Sequence, residues 1–465
     1  MNKYDLIIIG AGPSGIFAAM EAKKRKPDAR IIVFEKGRSI HKRVCPMRTT
    51  NRCAGCDPCN ITTGFAGAGA FSDGKLSLDS DVGGELATYI GEEATRDLIE
   101  YVDGIYLEYG ADTMIHGVQN PEAIDRLRKK ALRSNLKLVD CPVRHMGTEK
   151  GYEIYRAIQE DLERAGIEFS FLNPVKELLI EDGTVRGVIA DQEYYSDLVI
   201  AGIGREGSEW FAAMCKDRID TLVGTVDIGV RVETNALITK EMTDLLYEGK
   251  LIYYTPTFDD KIRTFCTNPN GWVSAEYYRD GLAVANGHAY KDQGKKSDNT
   301  NFALLVSMNF TEPFNTPIEY GQHIAKLANM LAGGKLLVQR YEDFKRGRRT
   351  TESRLARNKI IPTMKDAVPG DLSLVLPYRI MTDIDEMIQA LEGVSAGIIS
   401  AGTLLYGVEV KFYSNRVKVD DTFQTNIKNL YVMGDGVGIT RGLMQASCNG
   451  VHVARQLFPE TSPPS

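Results

Sequence analysis

Apolar residues gather near the start of the chain in one short run, residues 4–9, which stops at Gly10. Residues 10–15 read as a tight turn and 16–25 as a helix whose small residues, Ala18, Ala19 and Ala22, allow close packing on a sheet. Residues 30–34 form a second apolar run, so the segment 4–35 reads as strand, turn, helix, strand. Residues 38–83 are rich in Cys, Gly and Asp and read as irregular, while 86–110 and 121–134 read as helices. An amphipathic helix is expected over 152–165, ending at Gly166. Short strands follow to the buried run 198–201, and 221–310 is strand-rich in Thr, Val and Tyr. A helix over 321–332, a buried strand at Leu430–Met433, a glycine-rich turn and a helix near 443–457 complete the pattern. The tail 458–465 is expected to be disordered.

Length and charge narrow the class. A chain of 465 residues suits two interleaved domains better than one. Its 56 basic and 62 acidic side chains give a net charge of -6, so no basic excess draws nucleic acid or an anionic membrane. No apolar run reaches the ~18 residues that a membrane span needs. The run Leu6-Ile7-Ile8-Ile9 is too short for a secretion signal, which makes the cytoplasm the expected location.

Gly10-Ala-Gly12-Pro13-Ser14-Gly15 fits G-x-G-x-x-G between a strand and a helix, the context in which that pattern binds a dinucleotide. Gly10 permits the turn, Gly12 lets backbone approach a pyrophosphate, and Gly15 lets helix and strand come together. The helix N-terminus then holds the phosphates. Glu35, followed by Lys36, stands 20 residues beyond Gly15, where a carboxylate accepts ribose hydroxyls.

The C-terminal segment Thr425-Asn-Ile-Lys-Asn-Leu-Tyr-Val-Met-Gly434-Asp435 resembles the second FAD motif of the glutathione-reductase-like flavoprotein superfamily. The resemblance implies that Asp435 binds the ribityl chain of FAD. Gly436, Gly438 and Gly442 allow backbone near a ring, and a helix opening at about Leu443 would point its positive end at the flavin. Asp197-Leu-Val-Ile-Ala-Gly202-Ile-Gly204 resembles the third signature of the same superfamily. With Gly207 it also fits G-x-G-x-x-G, but no βαβ unit with a terminal acid follows, so a second dinucleotide domain is not expected.

Further stretches narrow the match: Gly64-Phe-Ala-Gly-Ala-Gly-Ala-Phe-Ser-Asp-Gly-Lys75, Val226-Asp-Ile-Gly-Val-Arg-Val-Glu233, Arg263-Thr-Phe-Cys-Thr-Asn-Pro-Asn-Gly271, Asn286-Gly287 and Gly407-Val-Glu409. Together they are similar to a family of uncharacterised FAD-dependent dehydrogenases, over nearly the whole chain. The resemblance implies an α/β fold: a Rossmann-type FAD-binding domain with a central parallel sheet, plus an inserted strand-rich α+β substrate domain. The expected FAD domain comprises 1–83, 146–208 and 400–460, with a helical insertion at 84–145 and the substrate domain at 209–399. Thr440 and Arg441 depart from the family's glycine- and alanine-rich last motif; Arg441 reads either as a binder of an anionic substrate or as a surface arginine.

Four of the eight cysteines, Cys45, Cys53, Cys56 and Cys59, make C-x7-C-x2-C-x2-C. The spacing leaves open an iron–sulfur cluster such as [4Fe-4S], a structural Zn site, a redox disulfide, and four unrelated thiols. For the chemistry at a flavin, Lys75 is a candidate charge facing the ring or substrate, and His288 a candidate acid/base. The expected activity is that of an FAD-dependent dehydrogenase or reductase moving a hydride between flavin N5 and a small organic substrate, with NAD(P)H or an electron-transfer protein as partner. A flavin monooxygenase and a non-redox flavin-binding or RNA-modification protein are the alternatives; the lack of a basic stripe argues against RNA.

Overall fold

A computed structural model describes residues 2–46, 56–72, 74–204, 207–215, 218–222, 225–246, 248–277, 282–289, 294, 296–311, 313–314, 316–412 and 416–459. Cys53 and the last six residues of the tail expected to be disordered lie outside the described residues. The chain forms two compact units. The first comprises Met1–Ile115, Val143–Leu222 and Ser414–Ser465; the second comprises His116–Pro142 and Val223–Tyr413.

The first unit is built on a five-stranded parallel sheet. Its order is Leu430–Met433, Val199–Gly202, Leu6–Ile9, Ile31–Glu35, Glu168–Phe171. Register places Ile8 beside Val33 on one side and Ile200 on the other, and Ile200 beside Tyr431. The three middle strands are buried along their whole length, as expected for parallel strands covered on both faces. On one side lies the helix Pro13–Arg25, with proline at its first turn and Lys23, Lys24 and Arg25 in its last. It meets the C-terminal helix Leu443–Leu457 at Gly450, where any side chain would strike the backbone of Ser14. The antiparallel strands Glu177–Glu181, Thr184–Ile189 and Glu193–Tyr195 form a second layer, with Tyr194 edge-on to Phe34 at 4.8 Å.

The second unit holds an eight-stranded sheet in the order Val368–Pro369, Leu337–Arg340, Leu404–Phe412, Val226–Asn235, Asn299–Met308, Lys261–Asn268, Lys250–Tyr254, Lys137–Val139. All neighbours run antiparallel except the first pair. Along Val226–Asn235 the period of two is strict. Val226, Ile228, Val230 and Val232 join a core with residues of the helices Pro121–Arg133, Pro317–Leu331 and Tyr378–Leu391. Asp227, Arg231 and Glu233 alternate with them and are also buried.

The segment 84–145, expected as one helical insertion, is divided between the units, and the strand Leu404–Phe412 belongs to the second. The apolar faces decide this division. Leu98, Ile99, Val102 and Tyr106 of the helix Glu92–Glu108 enter the first core, where Tyr106 lies 5.1 Å from Phe17. Ile124, Leu127 and Ala131 of Pro121–Arg133 enter the second. The expected helix 86–110 is broken at Gly91, whose φ of +86° ends Leu86–Ile90. The expected helix 152–165 starts earlier, at Thr148. No described helix is long and apolar enough to cross a membrane.

Arg231 is the largest fully buried side chain of the second unit, and its charge is met by the chain itself. Nε and one terminal nitrogen hold both oxygens of Glu409 at 2.7 and 2.8 Å. The other terminal nitrogen donates to Asn301 Oδ1 at 2.9 Å and to the carbonyl of Cys266 at 3.1 Å. Removing Glu409 leaves the buried Arg231 charge without a carboxylate, and removing Arg231 leaves Glu409 with Lys411 alone, 3.2 Å away. Glu409→Gln or Arg231→Met is therefore expected to destabilise the second unit by roughly 3–5 kcal/mol in urea unfolding, and the pair of changes together by less than the sum of the two.

A second buried group makes stability depend on pH. Asp383 accepts from Thr255 Oγ1 at 2.8 Å and faces Asp260, which Arg379 holds. Burial, and beyond it the Asp260 carboxylate, lift the Asp383 carboxyl to about 7, against the pull of Thr255 and Arg379. The folded chain thus keeps a proton that the unfolded chain releases near pH 4, and stability falls as pH rises from about 4 through 7. Asp383→Asn keeps the acceptor for Thr255. It is expected to flatten that slope and to be the more stable form at pH 8, by about 1–3 kcal/mol in urea unfolding compared at pH 5 and pH 8.

Candidate functional site

The first strand ends in the glycine turn. Gly10 has φ +98°, and a side chain there would run into the carbonyl of Gly202 on the neighbouring strand. A side chain on Gly15 would run into the carbonyl of Gly10. These two glycines let strand, turn and helix touch through backbone. Gly12 differs: nothing lies within 4 Å of the place its Cβ would take. It precedes Pro13, the first residue of the helix. No side chain caps that helix and no acidic residue stands in its first turn, so its positive end faces open space.

The same arrangement recurs at the end of the chain. The strand Leu430–Met433 leads through Gly434 to a single 3-10 turn, Asp435–Val437, and then to the helix Leu443–Leu457. That helix also lacks a side-chain cap and an acidic first turn, with Gly442 as its N-cap. Asp435 is half-buried and accepts from Thr440 Oγ1 at 2.8 Å. Gly436 passes so close to Gly204 that a Cβ would lie 2.5 Å from its carbonyl, while the space before Gly204 itself is open. Leu443 and Pro13 both lie against Gly69 in the turn Gly67–Phe71, so that turn touches the start of both helices.

Glu35 closes the second strand and is buried. One carboxylate oxygen accepts from Ala11 N at 2.9 Å and the other from Gly37 N at 2.8 Å. The side chain fastens the phosphate loop to the next turn, and each oxygen keeps a lone pair for another donor. Lys36 is exposed. Ser14 is buried, with its Oγ close below Gly202 and Gly434. The site residues read from the sequence, Gly10 to Gly15, Glu35, Gly204, Gly434, Asp435, Gly442 and Leu443, thus all lie where strands of the first unit end or where helices begin.

The catalytic candidates are placed differently. Lys75 opens the short strand Lys75–Ser77 of the first unit, opposite His145, and is half-buried. Arg441 lies 3.6 Å from Glu85, which also pairs with Arg416 at 2.7 Å. His288 ends the strand Ala283–His288 in the second unit, exposed, and partial burial of its ring lowers its pKa. Of the cysteine quartet, Cys45 and Cys59 are half-buried and Cys56 is exposed, while Cys53 lies outside the described residues. Among the described residues no three His, Cys, Asp or Glu side chains form a group that could hold a metal ion.

Three residues that build the site carry no motif. Asn449, on the C-terminal helix, accepts from Gly434 N at 3.2 Å, and its buried Nδ2 has no partner among the described residues. Gln445 is fully buried and binds the carbonyls of Ser80 and Val82, both at 3.0 Å, and the amide of Leu86 at 3.1 Å. Arg43 binds the loop before Gly67. Buried amides amid the small residues of Gln445-Ala-Ser-Cys-Asn449 were the available signal; for Arg43 there was none.

The residues fit a dinucleotide that carries a sugar-like chain at each end. Two uncapped helix starts and the open space at Gly12 suit a pyrophosphate, and two carboxylates at strand ends suit hydroxyl groups. The orphaned Asn449 amide supplies a further donor.

Residues 227–412 match the family model described as "FAD-dependent protein, C-terminal domain-like", which supports FAD as the cofactor. A protein of Clostridium beijerinckii (strain ATCC 51743 / NCIMB 8052), described as "Uncharacterized protein", is 24% identical over 475 residues, covering 97% of this chain and 80% of its own. Among solved structures, glycine oxidase from Geobacillus kaustophilus aligns at 11% identity with a TM-score of 0.39, covering 99% of this chain and 96% of that one. L-proline dehydrogenase from P. horikoshii aligns at 10% identity with a TM-score of 0.36, covering 98% and 93%. Mycobacterium smegmatis Sdh1 in complex with UQ1 aligns at 13% identity with a TM-score of 0.40, covering 98% and 68%.

Proposed function

We propose that the chain is an FAD-dependent oxidoreductase of the glutathione-reductase-like superfamily, a dehydrogenase or reductase acting on a small organic molecule. The first unit serves as the cofactor domain and the second as the substrate domain. The observation that carries this reading is the pair of uncapped helix starts, at Gly12 and Gly442, following strands of one parallel sheet, with Glu35 and Asp435 at strand ends. The family match over 227–412 supports it independently.

FAD, when bound, supplies a hydride acceptor and donor. The chain's own groups bind and orient it. The amides at Gly12, Pro13, Ser14 and Gly15 face the pyrophosphate, less the proline, which has no N–H to lose at a helix start. Glu35 would accept from the adenosine ribose, with Lys36 next to it, and Gly204 lies beside Gly436 near the last strand. Asp435 accepts from the ribityl hydroxyls, and Thr440 holds its carboxylate in place. The helix start at Gly442 and Leu443 favours negative charge on the ring. Lys75, Arg441 and His288 remain the groups proposed to meet the substrate or move its proton; Glu85 limits Arg441 to sharing its charge. NAD(P)H or an electron-transfer protein completes the cycle.

Because a Cβ at Gly12 meets nothing, Gly12→Asp is expected to fold with an unchanged far-UV spectrum yet bind FAD at least about 100-fold more weakly, near 3 kcal/mol at 1.4 kcal/mol per decade. Flavin fluorescence titration reads this, and undiminished binding would sink the assignment of the phosphate site. Asp435→Asn is expected to weaken FAD by about 10-fold or more through loss of a charged acceptor. Anaerobic bleaching of the bound flavin by NAD(P)H or a small metabolite, with turnover, is the expected redox result. A flavin that no such reductant bleaches would leave the non-redox alternative, and hydroxylated product formed in air would establish the monooxygenase.

A further inference from the structure

We propose that Arg43 couples the FAD site to the cysteine segment, so that bound cofactor protects Cys45 and Cys59 and alkylation of these thiols weakens cofactor binding. The proposal rests on the reading that the first unit binds FAD.

Arg43 is 2% exposed, and its guanidinium donates to four carbonyls: Asn60 at 3.0 Å, Ile61 at 2.7 Å, Phe65 at 2.5 Å and Gly67 at 2.7 Å. Its methylene stem fills the space beside Gly64, where a Cβ would lie 2.7 Å from Arg43 Cδ, and its charge sits 4.8 Å from the centre of the Phe71 ring. Among the described residues none of its hydrogen-bond partners is a carboxylate. Burial pulls its pKa down to about 10, and the Glu35 carboxylate acts in the opposite sense. A buried cation served only by carbonyl dipoles gains from any anion placed near it.

The four carbonyls belong to two places. Phe65 and Gly67 flank Ala66, whose amide donates to Ala11 O of the phosphate loop at 2.7 Å, and Phe65 N donates to Arg38 O at 3.0 Å. These contacts fix the backbone beside Gly12. Asn60 and Ile61 follow Cys59. Asn60 Nδ2 donates to Val44 O at 2.8 Å, next to Cys45, and Thr63 N donates to Cys59 O at 3.0 Å. One planar, rigid fork therefore spans the cofactor loop and the chain around two thiols. A displacement of either side reaches the other through close-packed backbone. Coupling of this kind is reciprocal.

The test uses the full-length chain with FAD and iodoacetamide as probes, with alkylation followed by peptide mass spectrometry. Saturating FAD is expected to slow alkylation of Cys45 and Cys59 by a factor in the range of about 5 to 150, and Cys266 of the second unit to react at an unchanged rate. Chain alkylated before loading is expected to lose FAD affinity by a factor in the same range, read by flavin fluorescence. Arg43→Lys keeps a charge but not the fork. It is expected to bind FAD measurably and to reduce the protection to less than about twofold. Tight FAD binding by the natural chain without protection, or without loss of affinity after alkylation, overturns the proposal. So does full protection in Arg43→Lys, which would mean that the ligand covers the thiols directly. If that variant does not fold, the two measurements on the natural chain decide alone. A natural chain that does not bind FAD overturns the cofactor reading itself.

Discussion

At the carboxyl ends of the first unit's strands, backbone touches backbone with no room for a single Cβ. Gly10 meets Gly202, Gly15 meets Gly10, and Gly436 meets Gly204. The constraint extends to the helices, where Gly450 rides on the backbone of Ser14. Such contacts sacrifice the stabilisation that side-chain burial would bring and add the backbone entropy cost of glycine. What they produce is proximity: two helices begin within the ends of one parallel sheet, and among the described residues no side chain caps either of them. A helix start with no cap and no acid is an anion site by default. The chemistry proposed for the chain follows from that steric condition more than from any reactive side chain.

That condition is local in sequence, which is why so much of the first unit could be read without coordinates. Strand, turn, helix and strand over 4–35 each carry their own signal, and Asp435 follows a run as apolar as the first strand. The helix began three residues before its apolar face, at Pro13, because proline needs no N–H at a helix start. The second unit was less legible. The pattern over 221–310 reads as strand-rich and gives one helix at 321–332, so it does not show the helices Ala236–Leu245 and Tyr378–Leu391. One strand shows the reason. In Val226–Asn235 the polar positions are buried as deeply as the apolar ones, so a pattern that normally separates core from solvent there separates core from core. Arg231 finds Glu409 178 residues further along the chain, a separation that no window of periodicity can span.

The motifs quoted from the second unit gain a physical meaning from that pairing. Arg231, Cys266, Asn301 and Glu409 lie on four adjoining strands and converge on one guanidinium. Gly287 borders the same cluster, because a Cβ there would lie 2.7 Å from Arg231. Residues that carry a family resemblance in one dimension therefore form a buried polar cluster in three.

The two buried arginines mark the difference between the units. Arg231 is neutralised by a carboxylate held at both oxygens, so its strands are complete without a ligand. Among the described residues Arg43 donates to carbonyls alone, and two of them flank Ala66, which binds the phosphate loop beside Gly12. At one end of the first unit's sheet, helix starts and a guanidinium thus stand beside the carboxylates of Glu35 and Asp435, donors for phosphates next to acceptors for hydroxyls. An anion that binds there stabilises the fold by RT ln(1 + [L]/Kd), about 2.7 kcal/mol at a hundred times Kd. The energy that would hold a dinucleotide in this unit is the same energy that would add to its folding.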